Sequence, residues 1–304
     1  MSTARALLFA TALLTLAVAP AMAQGQQDFS KVQITTTKIS NDFVALDGQG
    51  GRIGVLYGPD GIFMVDSQFA PLSDKIMAAI RAVSDQKIKF LLNTHVHGDH
   101  TGGNENFGKA GATIIARPML KQRLMKPNPP ANGGPAPAGA PAAAIPGYVI
   151  DERTRMSMDG ETIDLIPLPL AHTDGDTAVK FVKNDVLMTG DVFRSLGFPN
   201  IDRNNGGSLK GMLAAFDTLI AAAGPNTKVL PGHGPITNRA GLVAHKRMTI
   251  ALRDQVAKMI ADGKTQEQVV AAKITNRYEK QTGNAAGTAD RFIGQVYAEL
   301  KASS

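Results

Sequence analysis

Three histidines fall within six residues in the stretch Asn93-Thr94-His95-Val96-His97-Gly98-Asp99-His100-Thr101-Gly102-Gly103-Asn104, with Asp99 between the second and third. Imidazoles and a carboxylate so closely spaced, on a loop relaxed by Gly98, Gly102 and Gly103, suit metal coordination better than a packed core. Two of the remaining three histidines fit the same description. His172 lies in Ala171-His172-Thr173-Asp174-Gly175-Asp176, and His233 in Gly232-His233-Gly234. Asp191, in Thr189-Gly190-Asp191, occupies the same kind of position. Cysteine is absent, so any metal must be held by nitrogen and oxygen. That donor set suits zinc, with iron or manganese as alternatives. Seven ligand-type groups exceed what one tetrahedral ion takes, which points to two.

Each of these groups follows a segment that reads as a strand. Lys87–Leu92 is a short apolar run that delivers the first loop. Residues 162–168 precede His172, 186–189 precede Asp191, and 228–230 precede His233. Upstream, strands at 53–57 and 62–65 flank the turn Gly58-Pro59-Asp60-Gly61, and the second ends at Asp66. Helices are expected over 71–83, where Ile76, Met77, Ile80 and Val83 share a face, and over 118–125. Another begins after Ser208 with a stripe of Leu209, Met212, Leu213, Phe216, Leu219 and Ile220. Further helices are expected near 238–262, 265–273 and 288–302. His245 is read as lying on a polar face of the first of these, without a special role, and Asp174 and Asp176 as loop hydrogen-bonders. Strands then helices, repeated, indicate an α/β fold with two sheets inside helices.

Residues 1–23 carry one charge, Arg5, then a nearly unbroken apolar run from Ala6 to Ala19 and the small-x-small site Ala21-Met22-Ala23. This reads as a secretory signal peptide, with 24–304 as the mature domain in a periplasmic or secreted location. Removing it lowers the formal charge from +6 to +5. No later segment is apolar and long enough to span a membrane, so no membrane association is expected after cleavage. A mild positive balance favours a small anionic substrate. The lack of a dense Lys/Arg run with interleaved aromatics argues against nucleic acid. Between Pro127 and Gly147 the chain has seven prolines with alanine and glycine filling most of the rest, an insertion without regular structure that is either a lid or a loose surface loop.

The motif His95-Val96-His97-Gly98-Asp99-His100 followed by Thr101-Gly102-Gly103-Asn104 resembles the signature of the metallo-β-lactamase superfamily. The resemblance runs in order through Asp66, the histidine loop, His172, Asp191 and His233. It implies a four-layer αββα sandwich with two zinc ions at one sheet edge. By that resemblance His95, His97 and His172 hold one ion, Asp99, His100 and His233 the other, Asp191 bridges both, and Asp66 orients the first loop from behind. The implied reaction is hydrolysis of a small amide, lactam or ester by a metal-bound hydroxide, with Asp99 steering the proton. Many lactamases of this fold have cysteine or serine where this chain has Asp191, and a bridging aspartate resembles the glyoxalase II, ribonuclease and general hydrolase branches. A thioester hydrolase of glyoxalase II type is therefore the alternative, with an iron-dependent redox enzyme and a non-enzymatic metal-binding protein behind it. Arg194, three residues beyond Asp191, matches a cation that cysteine-bearing lactamases use for the substrate carboxylate. The stretch Gly197–Asp202 resembles exported hydrolases of the same superfamily, some labelled cyclase-like.

Overall fold

Alternating apolar residues build two sheets whose facing sides form one core. A computed structural model describes residues 28–302 apart from 131 and 284. Residues 1–23, expected from the sequence to be a secretory signal peptide, lie outside the described residues. The chain divides into the units Met1–Lys31 and Val32–Ser304, and the elements below belong to the second.

The first sheet has strands in the order β1 (Thr35–Lys38), β2 (Phe43–Asp47), β3 (Ile53–Gly58), β4 (Gly61–Val65), β5 (Ile88–Leu92), β6 (Thr113–Ala116) and β7 (Tyr148–Val149). Its first four strands pair antiparallel, and β4 through β7 are parallel. The second sheet comprises β8 (Thr154–Met158), β9 (Glu161–Pro167), β10 (Thr177–Phe181), β11 (Val186–Met188) and β12 (Lys228–Leu230), in the spatial order β12-β11-β10-β9-β8. Only the β11–β12 pair is parallel there.

The period of two along each strand decides the layering. In β4, Phe63 and Val65 join Phe43, Leu56 and Leu92 in a core shared with Val179, Phe181 and Met188 of the second sheet. Phe181 meets Phe43 edge-on with ring centroids 4.7 Å apart. The other face of the second sheet is covered through a separate apolar cluster by α5 (Leu209–Ala222), α6 (Arg239–Ala261) and α9 (Thr288–Ala302). The first sheet carries α1 (Ser73–Arg81), α2 (Gly98–Thr101), α3 (Asn104–Lys109) and α4 (Pro118–Met125) in its connections. The short helices α7 (Gln266–Ala271) and α8 (Glu279–Thr282) join α6 to α9. The result is the αββα sandwich. Among the described residues, no helix is long and apolar enough to cross a membrane.

His245 is not on a polar face. It is 3% exposed, on the buried stripe of α6 with Leu242, Met248, Thr249 and Leu252, and its ring centroid lies 5.2 Å from that of Phe193 and 5.6 Å from that of Phe216. Spacing of three and four residues placed it on the apolar stripe whatever its polarity. Burial pushes its pKa down to about 3, so it is neutral in the folded protein. The unfolded chain, with a value near 6.5, then binds a proton that the folded chain refuses between roughly pH 6.5 and 3. Stability from this residue is intact above pH 6.5 and falls on acidification, by up to about 1.4 kcal/mol per pH unit. Urea unfolding of the His245→Leu variant should therefore lose stability less steeply than the parent between pH 6 and 4. Parallel curves would contradict this.

Candidate metal centre

Strand ends deliver the site. β5 ends at Leu92, and Asn93 N–H still bonds to Ile115 of β6 at 3.0 Å. Thr94 then donates its N–H and its hydroxyl to the two carboxylate oxygens of Asp66, each at 2.7 Å. Asp66 sits just past β4 with φ of 63°, a conformation aspartate tolerates better than most residues. His97 remains extended, and the single turn α2 starts after it, so His100 swings back beneath His95. Asn104 pins the loop from below: it exchanges side-chain hydrogen bonds with Asn93 at 2.8 and 3.0 Å and accepts from Ser67 at 2.9 Å. The second sheet contributes His172 after β9, Asp191 after β11 and His233 after β12.

These residues form three groups, the third sharing a histidine with each of the other two. His95, His97 and His172 offer ligand atoms within 4.8 Å of one another, and so do Asp99, His100 and His233. Asp191 forms a third group with His95 and His100, between the two. Its Oδ1 lies 3.3 Å from His233 Nε2 and 3.4 Å from His100 Nε2, while Oδ2 faces His172 Nε2 at 3.9 Å. Asp99 Oδ2 lies 3.1 Å from His233 Nε2. Every residue singled out as a ligand in the sequence is thus brought to one place. Arg194 arrives too, with NH1 3.4 Å from Asp191 Oδ2.

The hydrogen bonds decide which ring nitrogens are free. His172 Nδ1 donates to the Asn200 carbonyl at 2.7 Å, so Nε2 carries the lone pair. His97 Nε2 faces the Asp202 carboxylate at 2.7 Å, which leaves Nδ1 as the acceptor. Those two acceptor nitrogens point at each other across 3.0 Å. Among the described residues, His95 Nε2, fully buried, has no hydrogen-bond partner. Lone pairs facing lone pairs, beside an orphaned imidazole, are costly unless a cation sits among them. This donor set fits divalent metal.

Electrostatics agrees. Burial drives the His95 pKa well below its usual value, with His100 and His172 adding to the effect, so the ring is neutral and able to serve as a ligand. Burial also dominates at His172, lowering it to about 4, with His97 adding. At His100 burial opposes charging, yet the carboxylates of Asp66 and Asp191 win and raise its pKa well above normal. A proton and a metal therefore compete for its Nε2, the nitrogen not bound to Asp66. Burial would raise the pKa of Asp99, but His233 and His100 hold it down at about 2, so it is ionised.

Several supporting residues carried no local signal in the sequence. Gly51 backs onto His100, where an added Cβ would lie 2.0 Å from ring carbon Cε1. Gly232 backs onto Asp191, where a Cβ would lie 2.1 Å from Oδ1. Asp176 takes the His172 N–H at 2.7 Å and two donors of Thr173, and Asp174 pairs with Arg123, so both are loop hydrogen-bonders. Asp202 was visible only as part of a resembling stretch, yet it fixes the tautomer and angle of His97. Carboxylates behind a metal-binding histidine commonly contribute a factor of about 10–100 in affinity. The Asp202→Ala variant should lose zinc affinity by roughly that factor in a chelator competition titration. Asn at the same position should recover part of it, and an unchanged affinity would remove this role from Asp202.

Comparison with known proteins gives a consistent picture. Residues 46–233, more than half of the chain, match the family model described as the metallo-beta-lactamase superfamily. A hydroxyacylglutathione hydrolase of Polaromonas sp. is 29% identical over 171 residues, covering 55% of this chain and 57% of that protein. Another of the same name, from Nitrosococcus oceani, is 24% identical over 213 residues, covering 69% of this chain and 72% of that protein. The chain thus spans little more than half the length of the first. Among solved structures, a metallo-beta-lactamase from Pontibacter korlensis superposes with a TM-score of 0.57 at 20% identity, covering 70% of this chain and 96% of that one. At that identity the likeness shows the fold.

Proposed function

The chain belongs to the metallo-β-lactamase superfamily, and from that premise we propose that it is a metal-dependent hydrolase, an exported dinuclear-zinc enzyme acting on a small amide, lactam or ester. The observation that carries this reading is the double convergence of donors with Asp191 between them. His95, His97 and His172 would hold one ion, and Asp99, His100 and His233 the other, with Asp191 serving both. When bound, such a pair supplies a water that ionises near neutral pH and a Lewis acid for the substrate carbonyl.

The chain's own residues do the rest. Asp66 fixes the His100 ring through Nδ1 and ties down the loop at Thr94. Asp202 does the same for His97, and the Asn200 carbonyl for His172. Asp99, ionised and about a quarter exposed, would be the carboxylate that steers or accepts the proton. Arg194, beside Asp191 and about one-fifth exposed, would meet an anionic substrate.

A second reading, thioester hydrolysis of the glyoxalase II type, is favoured by the aspartate at position 191 and by the name that two relatives carry. Zinc-reconstituted protein assayed side by side on a chromogenic cephalosporin, a p-nitrophenyl ester and a glutathione thioester separates the two. Turnover of the first or second supports the leading reading. Turnover of the thioester alone supports the other, and no turnover on any of them leaves a metal-binding protein.

A further inference from the structure

Against His97, one of the clustered histidines, lies a cavity of about 390 Å³ that none of the roles above uses. Its walls come from two sources. Val96 and His97 belong to the histidine loop, and Leu124 to the end of α4, whereas Pro127, Pro137, Ala138 and Ala140 belong to the proline-rich insertion.

That insertion is tethered at several points. Ala140 N–H bonds to the Leu124 carbonyl at 2.8 Å, and Gly139 lies so close to α4 that an added Cβ would sit 2.3 Å from the Met125 carbonyl. Further along, Asn104, which pins the histidine loop, donates to the Ala144 carbonyl at 3.3 Å. At the near end Asn128 Nδ2 donates to the Asn204 carbonyl at 2.6 Å, and Asn204 Nδ2 donates back to the Pro129 carbonyl at 3.0 Å. The turn holding Asn204 continues through Asn205, whose Nδ2 donates to Asp202 Oδ2 at 2.7 Å, the same oxygen that faces His97. A hydrogen-bonded path therefore runs from the insertion wall to a ring of the metal cluster.

The cavity is also electrically quiet. Arg123 lines it, but its guanidinium is paired with Asp174 through two bonds of 2.8 and 2.5 Å. His97 is paired with Asp202. What remains exposed to an occupant is apolar side chain and neutral amide, in a volume typical of small-molecule sites.

We infer that this cavity is the acyl pocket of the enzyme, taking an uncharged, medium-length apolar acyl chain whose carbonyl lies at the metal cluster beyond His97. The inference rests on the hydrolase reading and deepens it by naming the substrate class. The insertion acts as the pocket's outer wall, and chain length is the property it selects.

The test uses zinc-loaded protein and p-nitrophenyl esters from acetate to octanoate, with isothermal titration of acetate and hexanoate as a readout independent of turnover. In the parent, kcat/KM should rise by up to about fourfold for each methylene buried. Hexanoate should bind more tightly than acetate. Ala138→Trp, an exposed position that can accept a larger side chain, should fill the pocket and flatten both dependences. Leu124→Ser should weaken them by removing apolar wall. Turnover or binding without chain-length dependence in the parent, or an undiminished dependence in both variants, would overturn the pocket. Hexanoate selectivity that both variants abolish, with no ester turned over, would uphold the pocket and sink the hydrolase reading instead.

Discussion

Replacing His97 by alanine is expected to lower kcat/KM by about 10³-fold or more while leaving the fold intact. The size follows from removing a donor to an ion asked for several kcal/mol of transition-state stabilisation, at about 1.36 kcal/mol per decade of rate. His97 Nδ1 lies 3.0 Å from His172 Nε2, in the group that these two form with His95. The fold should survive because the ring is about one-quarter exposed and its partner Asp202 keeps Asn205. Steady-state kinetics, circular dichroism and bound zinc should therefore show activity lost, structure kept and one equivalent bound weakly. Activity within tenfold of the parent would remove His97 from the site.

A larger effect is expected from Asp191→Asn, because one carboxylate faces both donor groups. The amide has nearly the same shape, so the tight packing against Gly232 is preserved. It nonetheless removes the negative charge and directs an amide N–H at atoms that already offer lone pairs. Both zinc equivalents should bind more weakly, by about one to two decades each on the scale of about 1.5–3 kcal/mol per charged contact. Turnover should fall below detection. Unaltered binding of two equivalents would show that Asp191 is not shared.

Much of this was legible before any coordinates. The ligand-type residues were recognisable because each follows a short apolar run and sits among glycines and aspartates, and a strand end is where a sheet can present side chains to one edge. The two-sheet layering followed from strand periodicity, as Phe63 and Val65 on one face of β4 illustrate. What escaped was long-range. Asp202 and His97 are 105 residues apart and meet only in the fold. Gly51 matters because the His100 ring occupies the space a Cβ there would need, a closeness with no local pattern. The insertion has no hydrophobic periodicity, and it is held by backbone carbonyls of Leu124, Asn204, Pro129 and Ala144, which residue types do not reveal. His245 was misjudged for the opposite reason: its polarity hid a position that spacing had already placed in the core.

The most direct measurement of the central claim is a zinc titration of chelator-stripped protein, with bound metal and hydrolytic turnover followed in the same samples. The account predicts no activity without metal and a rise to a plateau at about two equivalents per chain. Full turnover by metal-free protein, or a plateau reached with no zinc bound, would contradict it.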